Sequence, residues 1–305
     1  MSDGAAVTAA IAEDDSLRDV AHAYKPLPIV RGLVWLVIGL IALKVLVVLA
    51  QNRNFGWGIV GEWLTEASIL RGLWVTLWLG VVSMALGVVL GLFLAIGRMS
   101  KDVLISSLAS VYIWFFRGTP LLVQLIFWYN LSYLFPEIVI GIPFGPTLAS
   151  WNTNDVISPL TAAIGGLALN EAAYMAEVIR GGLLSVDHGQ IEATQAFGMS
   201  PFRALLRVIL PQAMRAIVPP TGNQFISMMK STSLVSVIAM ADLLYSVQAV
   251  YNRTFEIIPM LLVAVFYYLV ITSLLNVGQG FIERYYGRGE RDAAGPAKAA
   301  QAPEG

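Results

Sequence analysis

Cysteine is absent from the chain, and histidine occurs only at His22 and His188. The first absence excludes disulfides and thiolate metal sites. The second leaves no His-Glu-x-x-His pair, and no Gly-x-Ser-x-Gly motif occurs either, so an intramembrane hydrolase has neither a metal nor a serine site to work with. A Gly-xxxx-Gly-Lys-Ser/Thr phosphate loop is also missing, so any ATP consumed on behalf of this chain is hydrolysed by another. Charge is scarce: 13% of 305 residues are charged, where soluble domains carry about a quarter. The net charge of −1 offers no field that would attract nucleic acid.

Apolar residues make up 57% of the chain, gathered into windows without the polar stripes of soluble helices. A helix needs about 20 apolar residues to cross a bilayer core of ~30 Å. Six windows are read as spans: Gly32–Ala50, Gly72–Gly97, Leu104–Phe135, Pro159–Leu184, Ala216–Ile238 and Ile257–Ile282. The class is all-α integral membrane with about six transmembrane helices. The first span follows some 30 polar residues, too many for the head of a cleaved signal, and is read as retained. Residues 1–28 and 287–305 lack apolar runs and are expected to be solvated tails. Within the third span, Arg117-Gly118-Thr119-Pro120 should kink a long helix. Pro136–Ser158 reads as a loop, and 239–256 as a mixed amphipathic stretch. Gly87-xxx-Gly91 either admits a close helix partner or simply belongs to a glycine-rich span. No tandem repeat is evident.

Lysine and arginine placement sets the orientation. With both tails cytoplasmic, fourteen basic residues fall on that side, Arg98, Lys101, Arg117, Arg180, Arg203, Arg207 and Arg215 among them. Only Arg53, Arg71 and Arg253 fall outside, and Lys44 and Lys230 lie within spans. Arg117 is expected near the cytoplasmic interface, at headgroups or a helix end. The same orientation puts 185–215 in the cytoplasm.

That segment is punctuated like two short helices. Gln190–Phe197 should be helical, with Gly198 ending it in a left-handed conformation. Ser200 and Pro201 should open the next helix, and Pro211 should break it. The first helix would display Ile191, Ala193, Ala196 and Phe197. Such a helix suits insertion into a partner's groove, or it packs on the chain's own helices; the residues leave both open. His188 reads as a polar loop residue.

A charge inside a span is expensive and marks a functional candidate. At ~1.5 Å per residue, Pro159–Leu184 is ~39 Å long and Glu171 lies ~18 Å in, near the midplane where transporters bind solutes. Asn170, Tyr174, Glu177 and Gly181 share one stripe, with Glu171 at its edge. Lys230 is similarly deep in the fifth span, with Asn223, Gln224, Ser231 and Thr232 nearby. Glu171, Tyr174, Glu177, Asn223, Lys230 and Gln124 are therefore candidates for the solute pathway, with Tyr129 and Asn130 weaker ones. Alternatively Lys230 pairs with Glu171 or Glu177 to satisfy charge at a helix interface.

Glu192-Ala193-Thr194, then Gly198, then Val208-Ile209-Leu210-Pro211 resemble the signature of permeases of binding-protein-dependent ABC importers: Glu-Ala-Ala, three residues, Gly, nine residues, Ile, one residue, Leu-Pro. Thr194 and Val208 are the two departures, both small. Arg117–Gln124, Ala173–Gly182, Gly189-Gln190 and Lys230–Leu234 further resemble the branch handling polar amino acids: histidine, arginine, glutamine, glutamate and opines. The resemblance covers roughly 69–283. It implies a type I importer permease of five core helices plus the additional helix at 29–51. It implies that 185–211 is the segment coupling to an ATPase, carried by Gly189, Gln190, Glu192, Ala193, Ala196, Phe197 and Gly198. It also implies the assembly: a dimer of ABC ATPase subunits holding ATP and magnesium, an extracytoplasmic amino-acid-binding protein, and a second permease, all in a bacterial plasma membrane. The permease itself would hold no cofactor. Other small polar solutes, or an ion-coupled secondary transporter running a Glu171–Lys230 relay, are the competing readings.

Overall fold

The computed structural model describes residues 28–142 and 146–287. The tails expected at 1–28 and 287–305 fall almost wholly outside them. Two compact units emerge, one ending at Phe55 and the other beginning at Gly56. The first contains helix α1, Pro28–Gln51, and a 3-10 turn, Arg53–Phe55. Apolar on all sides, α1 exposes its described residues along their whole length, as suits a helix whose solvent is lipid.

The second unit begins with α2, Trp57–Leu64, and α3, Ala67–Arg98. Asp102 then caps α4, Val103–Gly118, its Oδ1 accepting from the Leu104 and Ile105 amides at 2.9 and 3.0 Å. After α5, Leu121–Tyr129, the chain forms an antiparallel hairpin, β1 Glu137–Gly141 with β2 Thr147–Asn152, pairing Ile138 with Trp151. A short turn, α6 Thr153–Val156, leads to α7, Pro159–Leu184, which starts with Ser158 as cap and proline at its first position. Helix α8, His188–Ala196, and the single turn α9, Pro201–Ala204, follow. A π-turn at Leu205–Ile209 joins α9 to α10, Leu210–Ser231, and a 3-10 stretch continues to Ile238. The chain closes with α11, Leu243–Thr254, and α12, Ile257–Tyr286.

By length and composition α1, α3 and α12 can each cross a membrane, and two bent pairs raise the number to five among the described residues. The fourth expected span, α7, carries Asn170, Glu171, Glu177 and Arg180 and is less apolar. It does not need to suit lipid: α3, α4, α5 and α10 pack around it, and Ala163, Leu167, Ala172, Ala173 and Ala176 are wholly buried.

Four expectations need correction. The third span is not one kinked helix: α4 and α5 diverge by 104° at Thr119-Pro120. A residue before proline is pushed out of the helical region, and Thr119 is extended at φ −118° and ψ 145°. The loop at 136–158 contains the β-hairpin, so the fold is helical but not purely so. Pro211 does not break its helix; it sits in the first turn of α10, where its missing amide costs little, and the π-turn before it absorbs the change of register. Ser200 stands at the cap of α9 without a side-chain hydrogen bond.

Glycines let α3 lie on α7. A Cβ at Gly87 would stand 2.8 Å from the side chain of Glu171. One at Gly91 would stand 2.7 Å from Met175 Cβ and 3.0 Å from the Ala172 carbonyl. The close-packing reading of this glycine pair therefore holds. Gly91→Val, pressed against backbone that cannot yield, should cost about 1–3 kcal/mol. A fall in the melting temperature of purified protein checks this, and an unchanged melting temperature would contradict it.

Candidate functional site

A cavity of about 300 Å³ lies between α5, α7 and α10. Leu121, Leu167, Met228 and Leu234 form its apolar walls, and Asn170, Glu171, Tyr174, Gln224, Ser227 and Ser231 its polar ones. Spacing explains the set: 170, 171 and 174 share one helical face, and 224, 227, 228 and 231 share another. Glu171 is 6% exposed, and Gln224 Nε2 donates to its carboxylate Oε1 at 3.3 Å. Gly87 supplies the room in which this side chain lies. A buried carboxylate among otherwise neutral cavity walls, with one neutral hydrogen-bond donor, is suited to receive a cationic group. The volume is at the small end of the roughly 300–1,000 Å³ range of small-molecule sites.

Of the pathway candidates, Glu171 and Tyr174 line this cavity. Glu177, farther along α7, instead holds Arg180, with Nη2 to Oε2 at 2.7 Å and Nε to both oxygens at 3.1–3.2 Å. Gln124 faces away from the cavity. Its Nε2 lies 2.7–3.2 Å from Thr119 Oγ1, the Thr119 carbonyl and the Phe116 carbonyl, and its Oε1 accepts from Asn170 Nδ2 at 3.1 Å. Asn170 Nδ2 also donates to the Phe116 carbonyl at 3.0 Å. Gln124 therefore secures the elbow between α4 and α5 and ties it to α7. Asn223 and Lys230 are exposed on a second stripe of α10 with Pro220, and Ser227 lies where that stripe meets the cavity face. Among the described residues Lys230 pairs with neither Glu171 nor Glu177, contrary to the pairing weighed above. Tyr129 and Asn130 border a separate cavity of about 630 Å³ beside Ser158 and Pro159.

Arg117 lies in the last turn of α4, the helix end at which the sequence placed it. Its guanidinium stands 5.4 Å over the ring of Tyr174, beside the middle of α7. Gln224, Ser227 and Ser231 are cavity residues that the candidate set left out. The i, i+3, i+7 spacing on α10 was the signal that could have included them.

The segment 185–215 is built around α8. Asp187 Oδ1 caps it by accepting from the Gly189 amide at 2.7 Å. At the other end Gly198 has φ +65°, its amide donating to the Gln195 carbonyl at 2.9 Å while the Met199 amide donates to the Thr194 carbonyl at 3.0 Å. This is the two-bond closure that a glycine after a helix permits. Thr194, 4% exposed, faces inward and bonds the Ile191 carbonyl at 2.7 Å. Glu192, Ala193, Ala196 and Phe197 are exposed, Phe197 at 86%. Gln212 Nε2 reaches Gln190 Oε1 at 3.4 Å, joining α8 to α10.

Comparison with known proteins converges on one family. Residues 87–287 match the binding-protein-dependent transport system inner membrane component. The chain is 45% identical over 242 residues to the arginine transport system permease protein ArgU of Corynebacterium glutamicum, covering 78% of this chain and 74% of that one. It is 36% identical over 211 residues to the histidine/lysine/arginine/ornithine transport system permease protein HisM of Escherichia coli, covering 69% and 85%. Among solved structures, an amino acid ABC transporter crystallised with histidines superposes with TM-score 0.60 at 37% identity, covering 72% of this chain and 94% of that one. The MetNI methionine ABC transporter shares the fold at TM-score 0.55 and 21% identity.

Proposed function

The chain belongs to the family of binding-protein-dependent transport system inner membrane components, and from that footing we propose that it is the permease of an ABC importer for polar amino acids, with a preference for basic ones. The observation that carries the solute class is Glu171: a buried carboxylate in a small cavity within the membrane-spanning helices suits an ammonium or guanidinium group. The relatives named for arginine and for histidine, lysine, arginine and ornithine transport support the same class.

In this reading an external binding protein delivers the solute to the face bearing the β-hairpin and the start of α7. The solute then enters the cavity, and the exposed stripe of Asn223, Ser227 and Lys230 faces a second permease or the aqueous path between the two. Lipid is a poor neighbour for that stripe. On the cytoplasmic side α8 enters a groove of an ATPase subunit, with Phe197 as apolar anchor. ATP and magnesium are held by the ATPase pair, and its closure rocks the helices between outward and inward access. Both termini are cytoplasmic, and the membrane is the bacterial inner membrane.

The test is uptake of labelled amino acids into proteoliposomes containing this permease, its ATPase and its binding protein. The expected result is uptake that requires ATP and is competed by basic amino acids. Uptake driven by an ion gradient without the ATPase would overturn the reading in favour of a secondary transporter. The distance between roles already weighs against a Glu171–Lys230 relay, since Lys230 is on the exposed stripe and not in the cavity.

A further inference from the structure

We propose that Arg117 is a specificity-determining residue that reads the carboxylate of the solute, so that the site takes amino acids and rejects the corresponding simple amines; this rests on the amino-acid reading of the cavity. Three observations carry it. First, the guanidinium stands over the ring of Tyr174, and the same ring lines the cavity one helical turn from Glu171. A cation and an anion thus flank one aromatic side chain. Second, Arg117 is an exposed charge ~21 Å along α4 at ~1.5 Å per residue, and within a membrane-spanning helix an arginine needs an anionic partner or water. Among the described residues it forms no ion pair. The carboxylate whose charge it feels, Glu177, is already held by Arg180 through contacts of 2.7–3.2 Å. Third, Arg117 is the last charged residue before the elbow, and Gln124 and Asn170 fix that elbow to α7, so its backbone is anchored beside the cavity.

An aromatic face holds a guanidinium weakly, by about 0.5–2 kcal/mol. A carboxylate offers the planar, two-point hydrogen bonding for which the guanidinium is shaped. The Tyr174 ring is therefore a resting place from which Arg117 can turn to a solute. With Glu171 taking the cationic end and Arg117 the carboxylate, the pair matches a basic amino acid. An amine of the same length without a carboxylate leaves Arg117 unanswered.

Equilibrium dialysis of labelled L-arginine against the purified permease–ATPase complex, free of binding protein, tests the assignment, with agmatine, the decarboxylated amine, as competitor. Wild type should prefer arginine over agmatine by about 10- to 100-fold, the range of one charge-assisted contact. Arg117→Gln should weaken arginine by that factor and leave agmatine unchanged; Arg117→Lys should restore part of the preference. Glu171→Gln should weaken both ligands. If Arg117→Gln weakens both equally, or if agmatine competes as well as arginine in wild type, the proposal is wrong while the cavity reading survives on the Glu171 result. If Glu171→Gln changes neither ligand, or wild type binds no arginine, the cavity reading fails and the proposal with it.

Discussion

Glu171→Gln should lower ATP-dependent uptake by about 100-fold, the upper range of a lost charge-assisted hydrogen bond, while the permease still assembles with its ATPase. The substitution keeps shape and volume, so the side chain still fits the space that Gly87 leaves against α3. It also keeps an oxygen that can accept from Gln224 Nε2. Only the negative charge is removed. If Glu171 merely filled the α3–α7 contact, a neutral isostere would be tolerated or even stabilising, because burying a charge is costly. Initial rates of uptake, alongside the melting temperature, separate the two roles. Lost uptake at unchanged or higher melting temperature identifies a solute contact, and retained uptake at the wild-type rate refutes it.

Gly198→Pro should abolish co-purification of the ATPase subunit and reduce uptake to background. At φ +65° the residue occupies the left-handed region, whereas proline is fixed near −65° and has no amide to give the Gln195 carbonyl. The local cost is about 3 kcal/mol, and it falls at the end of α8, next to the exposed Phe197. Gly198→Ala is the graded control. No atom lies within 4 Å of a Cβ placed there, so its cost is that of left-handed backbone alone, about 1–2 kcal/mol. Weakened but measurable ATPase binding is expected for it. Full coupling in the proline variant would mean that α8 is not the docking element.

The residues that announced themselves in the sequence are those whose effect is local. Gly198 terminates α8 because glycine tolerates positive φ, and Ser158-Pro159 opens α7 because cap and first-turn preferences act within a few residues. Glu171 stood out because a carboxylate deep in an apolar run has few structural uses. Side-chain partners across the fold were not legible. Lys230 and Glu171 are comparably deep, yet seven-residue spacing puts Lys230 with Asn223 on the exposed stripe, and only packing against α7 decides which stripe of α10 faces inward. Gln124 looked like a pathway residue because it is polar within a span; its use in closing the elbow depends on a 104° turn that Thr119-Pro120 made possible but did not quantify. Arg117 was placed by counting positive charges, a rule about loops that says nothing of the ring contact its exposed guanidinium makes with Tyr174. Pro211 misled because the π-turn ahead of it changes the hydrogen-bond register and lets the helix run on.

The stripe on α10 also bears on how much of this protein a cell can keep. Asn223 and Lys230 form a polar surface that the described helices of this chain leave exposed and that hydrocarbon would suit poorly. A solitary copy in the bilayer would have to tilt, thin the membrane or draw in water around the lysine. Surplus chains made without partners should therefore be short-lived, which a pulse-chase of this chain expressed alone would read out. The amount of permease in the membrane would then be set by the scarcest component of the assembly and not by the rate at which this chain is made.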